Sequence, residues 1–230
     1  MKSRSLCSGI LSCVSLSIAA FSWPQSTGNF ATQQVSKKQS AVFLENLTWD
    51  EAERVLTPDS VVVIPLGAEC KEHGRHLPLN NDFLMAEYFK QRVLAAAPKE
   101  VIVAPTINYS FYPAFLEYPG STSLSLETSQ AMITDIVGSL AHYGPRRFYV
   151  LNTGISTLKP LAQAATELAK IGILISYTDF TKEDPVEKRL RQSGGTHADE
   201  IETSMMLYIA PESVQMKKLP ATSTRSSPAA

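Results

Sequence analysis

Continuous apolar runs alternate along the chain with segments of helical length. The run over 61–66 (Val-Val-Val-Ile-Pro-Leu) has no polar position, which is typical of a strand buried on both faces. Shorter apolar runs follow it and also predict strands, at 101–104, 148–152 and 173–177. Because such runs lack polar alternation, they favour a parallel sheet that is covered by helices on both faces.

Helices are predicted between these strands. Thr48 and Glu51 form a capping-box pattern, which predicts the start of a short helix that ends near Leu56. Longer segments with helical spacing of apolar positions lie at 82–97, 126–143, 158–171 and 198–209. Strands that alternate with helices imply right-handed βαβ crossovers. The sequence therefore predicts an α/β fold, a three-layer α/β/α sandwich with a mostly parallel central sheet.

The two ends of the chain differ in composition from this domain. Lys2 and Arg4 precede a weakly apolar stretch that ends in small residues, which is typical of a secretory signal peptide. We therefore expect an exported protein, periplasmic or secreted, that has no contact with a membrane after processing. The predicted organisation is a signal peptide over 1–22, a disordered linker over 23–40, one domain over 41–219 and a disordered tail over 220–230.

Charge and cysteine content narrow the functional classes. The formal net charge is −1 and no segment is dense in Lys or Arg, which argues against nucleic acid as a partner. Cys7 and Cys13 lie in the predicted leader, so Cys70 remains alone and no internal disulfide is expected. Its flanking residues include no convincing base partner, and we interpret Cys70 as a bystander.

The loop from Gly67 to Asp82 carries the densest set of candidate ligands. It holds His73, His76 and several carboxylates between a predicted strand and a predicted helix. Ligands of open parallel sheets bind beyond the carboxyl ends of the strands, where this loop begins. Neutral nitrogen and anionic oxygen donors suit a divalent cation, although a solvated polar loop has the same composition.

The order of residues in this loop resembles the signature of the creatininase family, Glu-x-His-Gly-x-His-Leu-Pro-Leu-x-x-Asp. Two later segments are similar to other family motifs: Tyr118-Pro119-Gly120-Ser121-Thr122-Ser123-Leu124 and His197-Ala198-Asp199-Glu200-Ile201-Glu202-Thr203-Ser204. The resemblance spans about 47 to 212 in the family's order. It implies a metal-assisted hydrolase of a small amide or related non-peptide C–N bond, with Zn or Mn as cofactor. It also implies a small-molecule substrate and a homo-oligomer, commonly a hexamer.

The family's metal ligands are only partly retained. His73 and Asp82 match, whereas Lys71 stands at the position of a family glutamate, and Gly154 and Ser156 stand where a later loop carries a histidine and an acidic ligand. One metal ion per subunit, if any, is therefore expected. The candidate residues are His73, Asp82 and Glu72 for the metal, His197, Glu202 and Lys71 for catalysis, and Ser156, Gly154 and His76 for substrate binding.

These substitutions leave three alternatives open. A single metal held by His73 and Asp82, with help from Glu72, Glu69, His197 or Glu202, could polarise a carbonyl group. The Lys71 cation could instead take the place of the missing metal and orient an anionic substrate group. Alternatively, the pocket could belong to a non-catalytic small-molecule-binding homologue that has lost the dinuclear metal site.

A serine-hydrolase interpretation is also open to test. The run Gly154-Ile155-Ser156 partly resembles a nucleophile elbow, with His197 as a downstream base. Leu158 stands where that motif has its second glycine, which argues against the tight turn that an elbow needs. The aromatic residues between Tyr109 and Tyr118 could line a pocket or pack in the core, and they carry no site prediction.

Overall fold

Five parallel strands form the central sheet of the domain. The computed structural model describes residues 41–182, 195 and 197–219 of the chain. The strands are β1 (Val42–Phe43), β2 (Val61–Leu66), β3 (Val101–Val103), β4 (Arg147–Asn152) and β5 (Leu174–Tyr177), in the spatial order β1-β3-β2-β4-β5. β2 lies at the centre, and all but the first of its residues are buried, as its apolar run predicts. β1 was not predicted.

Helices connect successive strands and follow the last one. They are α1 (Trp49–Val55), α2 (Asn81–Ala96), α3 (Leu126–Ala141), α4 (Leu158–Ala169) and α5 (Glu200–Ile209). The capping box is confirmed, since Glu51 accepts a hydrogen bond from the backbone N–H of Thr48 at 2.8 Å. The predicted helices are all present, and their ends differ by a few residues at most.

Two apolar clusters form the core, and the larger one packs helices against the sheet. Val62 and Ile64 of β2 pack with Ile133 of α3 and Leu161 of α4 in the larger cluster. The smaller cluster joins α2 to α5 and contains Leu77, Met85, Met206 and Ala210. These layers confirm the predicted α/β/α sandwich. Among the described helices, none is long and apolar enough to cross a membrane.

The carboxyl ends of β2 and β4 bring two loops together. Leu66 pairs with Asn152 at the ends of these strands. Thr153 then donates its backbone N–H to the carbonyl oxygen of Leu66 at 3.1 Å, and its hydroxyl to the carbonyl oxygen of Asp82 at 3.2 Å. The loop after β4 is thereby fixed against the first turn of α2, where the predicted site begins.

Gly67 permits a close approach between the end of β2 and α2. A Cβ atom at this position would lie 2.7 Å from the carbonyl carbon of Asp82 and 2.8 Å from the Cβ of Ala86. Backbone atoms cannot move aside without displacing α2, so we expect Gly67→Ala to lower the free energy of unfolding by about 2–3 kcal/mol. Chemical denaturation monitored by circular dichroism measures this change.

Gly138 provides a matched control for that substitution. It lies inside α3, and a Cβ there would meet no atom within 4 Å. We expect Gly138→Ala to raise stability by about 0.5–1 kcal/mol, because alanine favours the helix. Equal effects of the two substitutions would contradict the assigned packing at Gly67.

The predicted signal peptide (1–22), linker (23–40) and tail (220–230) lie outside the described residues. The exported location therefore stays a prediction from sequence. The described strands of the predicted domain all belong to one sheet.

Candidate functional site

Asp82 lies in the first turn of α2 and forms the buried centre of the site. Its Oδ1 lies 2.8 Å from His73 Nε2, and its Oδ2 lies 2.6 Å from Lys71 Nζ. Burial raises the pKa of this carboxyl, but the charges of Lys71 and His73 outweigh burial and hold the pKa well below its usual range. The amino end of the helix also favours a negative charge at this position. Asp82 is therefore ionised at neutral pH.

Both ring nitrogens of His73 face oxygen acceptors. Nδ1 lies 2.8 Å from the backbone carbonyl oxygen of Lys71, and Nε2 faces the Asp82 carboxylate. Neither oxygen can donate a hydrogen bond, and a neutral imidazole has one N–H, so a cation near Nε2 would satisfy the contact that this N–H leaves open. Histidines that bind metals commonly donate Nδ1–H to a backbone carbonyl in this way. The surroundings of His73 therefore suit a metal ligand.

His197 and Glu202 complete a group with metal-ligand spacing. The candidate ligand atoms of His73, His197 and Glu202 all lie within 4.8 Å of one another. The rings of the two histidines are 5.0 Å apart, measured between centroids. Two imidazole nitrogens and one carboxylate oxygen are donors that suit Zn²⁺, and the carboxylate also suits Mn²⁺. The residues present therefore fit a divalent ion.

The turn before α5 positions His197 and Glu202. Ala198 has a left-handed backbone (φ 47°), and its N–H donates a hydrogen bond to Glu202 Oε2. Asp199 caps the helix, since its Oδ1 accepts hydrogen bonds from the N–H groups of Ile201 and Glu202. Burial raises the pKa of Glu202, and the nearby Asp82 carboxylate adds to the shift. A cation beside Glu202 would offset this cost of ionisation.

Glu72 was predicted as a metal ligand, but its contacts differ from those of a ligand. Its Oε2 accepts a hydrogen bond from His197 Nε2 at 3.1 Å, and its Oε1 accepts one from the backbone N–H of Gly74 at 2.5 Å. Burial alone would raise the pKa of Glu72, but these hydrogen bonds lower it below its usual value. Glu72 therefore orients His197, whereas Glu202, predicted as a catalytic group, lies in the ligand group.

The segment after Tyr118 supports this geometry. Ser121 accepts a hydrogen bond from the backbone N–H of Glu72 at 2.9 Å, and the N–H of Thr122 donates to the carbonyl oxygen of Cys70 at 2.9 Å. The second of the three sequence motifs therefore holds the first in place.

Lys71 is buried beside Asp82, with only 3% of its surface exposed. Its Nζ lies 5.5 Å from the ring centroid of Tyr112 and 5.0 Å from that of Phe115. These distances are in the range of cation–π contacts. A divalent ion about 4 Å from this ammonium group would be repelled by roughly 8 kcal/mol at an effective dielectric constant of about 20. The fixed positive charge of Lys71 therefore disfavours a metal ion at this position.

Tyr112 and Phe115 were not predicted as site residues. Phe115 also contacts His197, with 4.5 Å between ring centroids, and Tyr112 is buried. Their loop follows β3 and so begins at the same sheet edge as the other site loops. That position was the one available signal, but it does not distinguish a pocket wall from core packing.

Gly154 lies next to the ion pair, as expected for the loop after β4. A Cβ added to it would lie 3.8 Å from Asp82 Oδ2 and 3.9 Å from Lys71 Nζ. Ser156 is partly buried in the same loop. In the described part of the chain, the imidazole of His197 is hydrogen-bonded to Glu72, not to Ser156, so the nucleophile-elbow interpretation gains no support.

His76 was predicted to bind substrate, but its contacts are structural. Its side chain is buried, and its Nε2 lies 2.8 Å from the hydroxyl oxygen of Thr203 in α5. The backbone carbonyl oxygen of His76 accepts a hydrogen bond from the N–H of Gln215 at 2.7 Å. Burial lowers the pKa of His76, which favours the neutral ring. These contacts favour a role in joining the loop to α5.

Known proteins resemble this chain in sequence and in fold. Residues 45–230 match the creatininase family model, described as creatinine amidohydrolase. Creatinine amidohydrolase of Pseudomonas putida is 31% identical over 200 residues, which are 78% of this chain and 76% of that protein. A peptidase of the mycofactocin precursor peptide, from Mycolicibacterium smegmatis, is 25% identical over 69% of this chain and 62% of its own length.

A solved structure extends the match to three dimensions. A mutant creatininase described as the Zn–Zn type is 26% identical, with a TM-score of 0.66 over 81% of this chain and 79% of its own. The strand order, the three motifs and the sequence matches lead to one assignment: the chain belongs to the creatininase family.

Proposed function

We propose that this protein is a metal-dependent hydrolase of a C–N bond in a small amide, with His73, His197 and Glu202 as the metal ligands. The observation that carries the proposal is the convergence of their three candidate ligand atoms within 4.8 Å of one another. Membership of a hydrolytic family supports it. The backbone carbonyl oxygen of Lys71 holds the His73 ring from behind through Nδ1, and Asp82 Oδ1 lies at Nε2, on the side where the ion is proposed to bind.

The surrounding residues would each have a defined task. A divalent ion at this group supplies Lewis-acid chemistry, which polarises a carbonyl group and acidifies water. The side chains of His197 and Glu72 are 16% and 17% exposed, so the site opens on their side. Glu72 is ionised at neutral pH, since its pKa is lowered, and its carboxylate can accept a proton at this opening. Tyr112 and Phe115 exclude water from the Lys71 side.

The substrate is proposed to be a small amide, and two observations define the alternatives. One relative is named for its action on creatinine, and another for peptidase action on a precursor peptide. A short peptide therefore belongs among the compounds to be tested. The buried Lys71 cation favours a second candidate, a homologue that binds a small molecule without catalysis.

Metal removal and reconstitution test the proposed activity. We expect the purified protein to hydrolyse at least one compound of a panel containing creatinine, other cyclic amides, linear amides and short peptides. Chelation should lower that activity by about a hundredfold or more, and Zn²⁺ or Mn²⁺ should restore it, because the ligand group holds the ion that activates the carbonyl. Activity that survives chelation would contradict the proposal, and saturable binding without turnover by the metal-loaded protein would favour the binding homologue.

We propose export and self-association as features of the same protein. The charged and apolar N-terminal residues support export, and strongly exposed apolar side chains such as Trp49 (81%) and Tyr208 (76%) support a homo-oligomer. Cell fractionation and light scattering of the processed protein measure these two properties.

A further inference from the structure

We infer that the site holds one divalent ion and that the Lys71 ammonium group supplies the second positive charge, in a position that another ion would otherwise occupy. The inference rests on the proposed metal-dependent function, and it concerns how many ions this chain can hold. It assigns to Lys71 a positioning role as a built-in cation. The supporting observations are the two faces of Asp82, the enclosure of Lys71 and the charge balance of the site.

The Asp82 carboxylate serves two different cationic partners. Oδ1 lies 2.8 Å from His73 Nε2, on the side of the proposed ligand group. Oδ2 lies 2.6 Å from Lys71 Nζ, and the side chains of both residues are at most 4% exposed. A carboxylate whose oxygens point in two directions can bridge two cations. In this chain one of those two cations is an ammonium group that is part of the protein.

Neighbouring residues enclose the Lys71 ammonium group. The ring centroids of Tyr112 and Phe115 lie 5.5 and 5.0 Å from Nζ. Gly154 approaches from the loop after β4, where even a Cβ would be only 3.9 Å from Nζ. A second ion at Asp82 Oδ2 would have to displace this buried side chain from its carboxylate and both rings.

The charges around the site match one divalent ion. The site contains the carboxyl groups of Glu72, Asp82 and Glu202 and the ammonium group of Lys71. Their formal charges sum to two negative charges. One divalent ion neutralises this charge, whereas two ions would leave an excess positive charge in a largely buried site.

The number of metal ions per chain can be compared with that of a related protein. One creatininase structure is described as the Zn–Zn type, so this fold can hold two zinc ions. We expect metal analysis by mass spectrometry to find one Zn²⁺ per chain in the purified wild type after equilibration with excess zinc. X-ray absorption of the same sample should show imidazole ligands and no zinc–zinc scattering.

Substitution of Lys71 tests its role directly. We expect Lys71→Glu to bind a second ion, because it removes the ammonium group and adds a carboxylate beside Asp82 Oδ2. Lys71→Met has similar length and adds no carboxylate, and its thioether sulfur suits softer ions such as Cu(I), so this variant should still bind one ion. Lys99→Glu makes the same charge change at an exposed position at the opposite end of β3, and it should leave the count at one.

The outcomes separate this inference from the proposed function. Two ions in the wild type, or one ion in a folded Lys71→Glu variant at saturating metal, would overturn the role of Lys71 and leave metal-dependent hydrolysis standing. A wild type that binds no ion would overturn both. Because the wild-type count and its absorption spectrum need no variant, a failure of Lys71→Glu to fold does not prevent a decision.

Discussion

His73→Ala is expected to remove the metal and to lower turnover by about a thousandfold or more. His73 is fully buried and contributes one of the three proposed ligand atoms, so its loss leaves two ligands and an open cavity. A catalytic ion typically supplies several kcal/mol of transition-state stabilisation, and each 1.36 kcal/mol corresponds to about a tenfold change in rate. Metal content and the rate with the substrate identified from the amide panel measure the two effects.

His142→Ala is the control for His73→Ala. His142 is exposed after the end of α3, and its ring contacts Tyr143, 5.2 Å away between centroids. The His142→Ala variant should retain the metal and full activity. A folded His73→Ala protein that binds zinc as tightly as the wild type would show that the ligand group has been assigned incorrectly. Because His73 is buried, circular dichroism and a melting curve must first show that the variant is folded.

The sheet was predictable because its central strands carry a local signal. The apolar run of β2 marks a strand covered on both faces, and the structure places it in the middle of the sheet. β1 has two residues and pairs only with β3 among the described strands, so its local pattern carries no such signal. Its position depends on long-range pairing, which a pattern of apolar residues does not encode.

The site was predictable where its residues are close in sequence. Lys71, His73 and Asp82 share one loop and helix start, and the structure brings them together. The roles of Glu72 and Glu202 were assigned differently from what the contacts favour, because Glu72 meets His197 across 125 positions of the chain. The contact between His76 and Thr203 spans 127 positions, and no sequence pattern indicated it either. Both contacts depend on how α5 returns to the first loop.

Asp82→Asn is expected to lower the free energy of unfolding by about 3–5 kcal/mol in metal-free protein at neutral pH. The substitution leaves the Lys71 ammonium group buried without its anion, and removing one partner of a buried ion pair costs about this much. Chelator-treated wild type and variant should be compared by urea denaturation, so that loss of metal does not contribute. A difference below about 1 kcal/mol would show that the ion pair does not hold the loop to α2.

The dependence of this difference on pH follows from the lowered pKa of Asp82. A carboxyl whose pKa is lower in the folded protein adds stability above its unfolded pKa of about 3.9, and loses it as pH falls through the folded value. The stability contributed by Asp82 should therefore be constant near neutral pH and decrease only in strong acid. Asp50→Asn is the matched control, because Asp50 pairs with Arg54 on the surface, and its effect should be much smaller. Adding Lys71→Met to Asp82→Asn should recover part of the lost stability, since it removes the buried charge that the first substitution leaves unpaired.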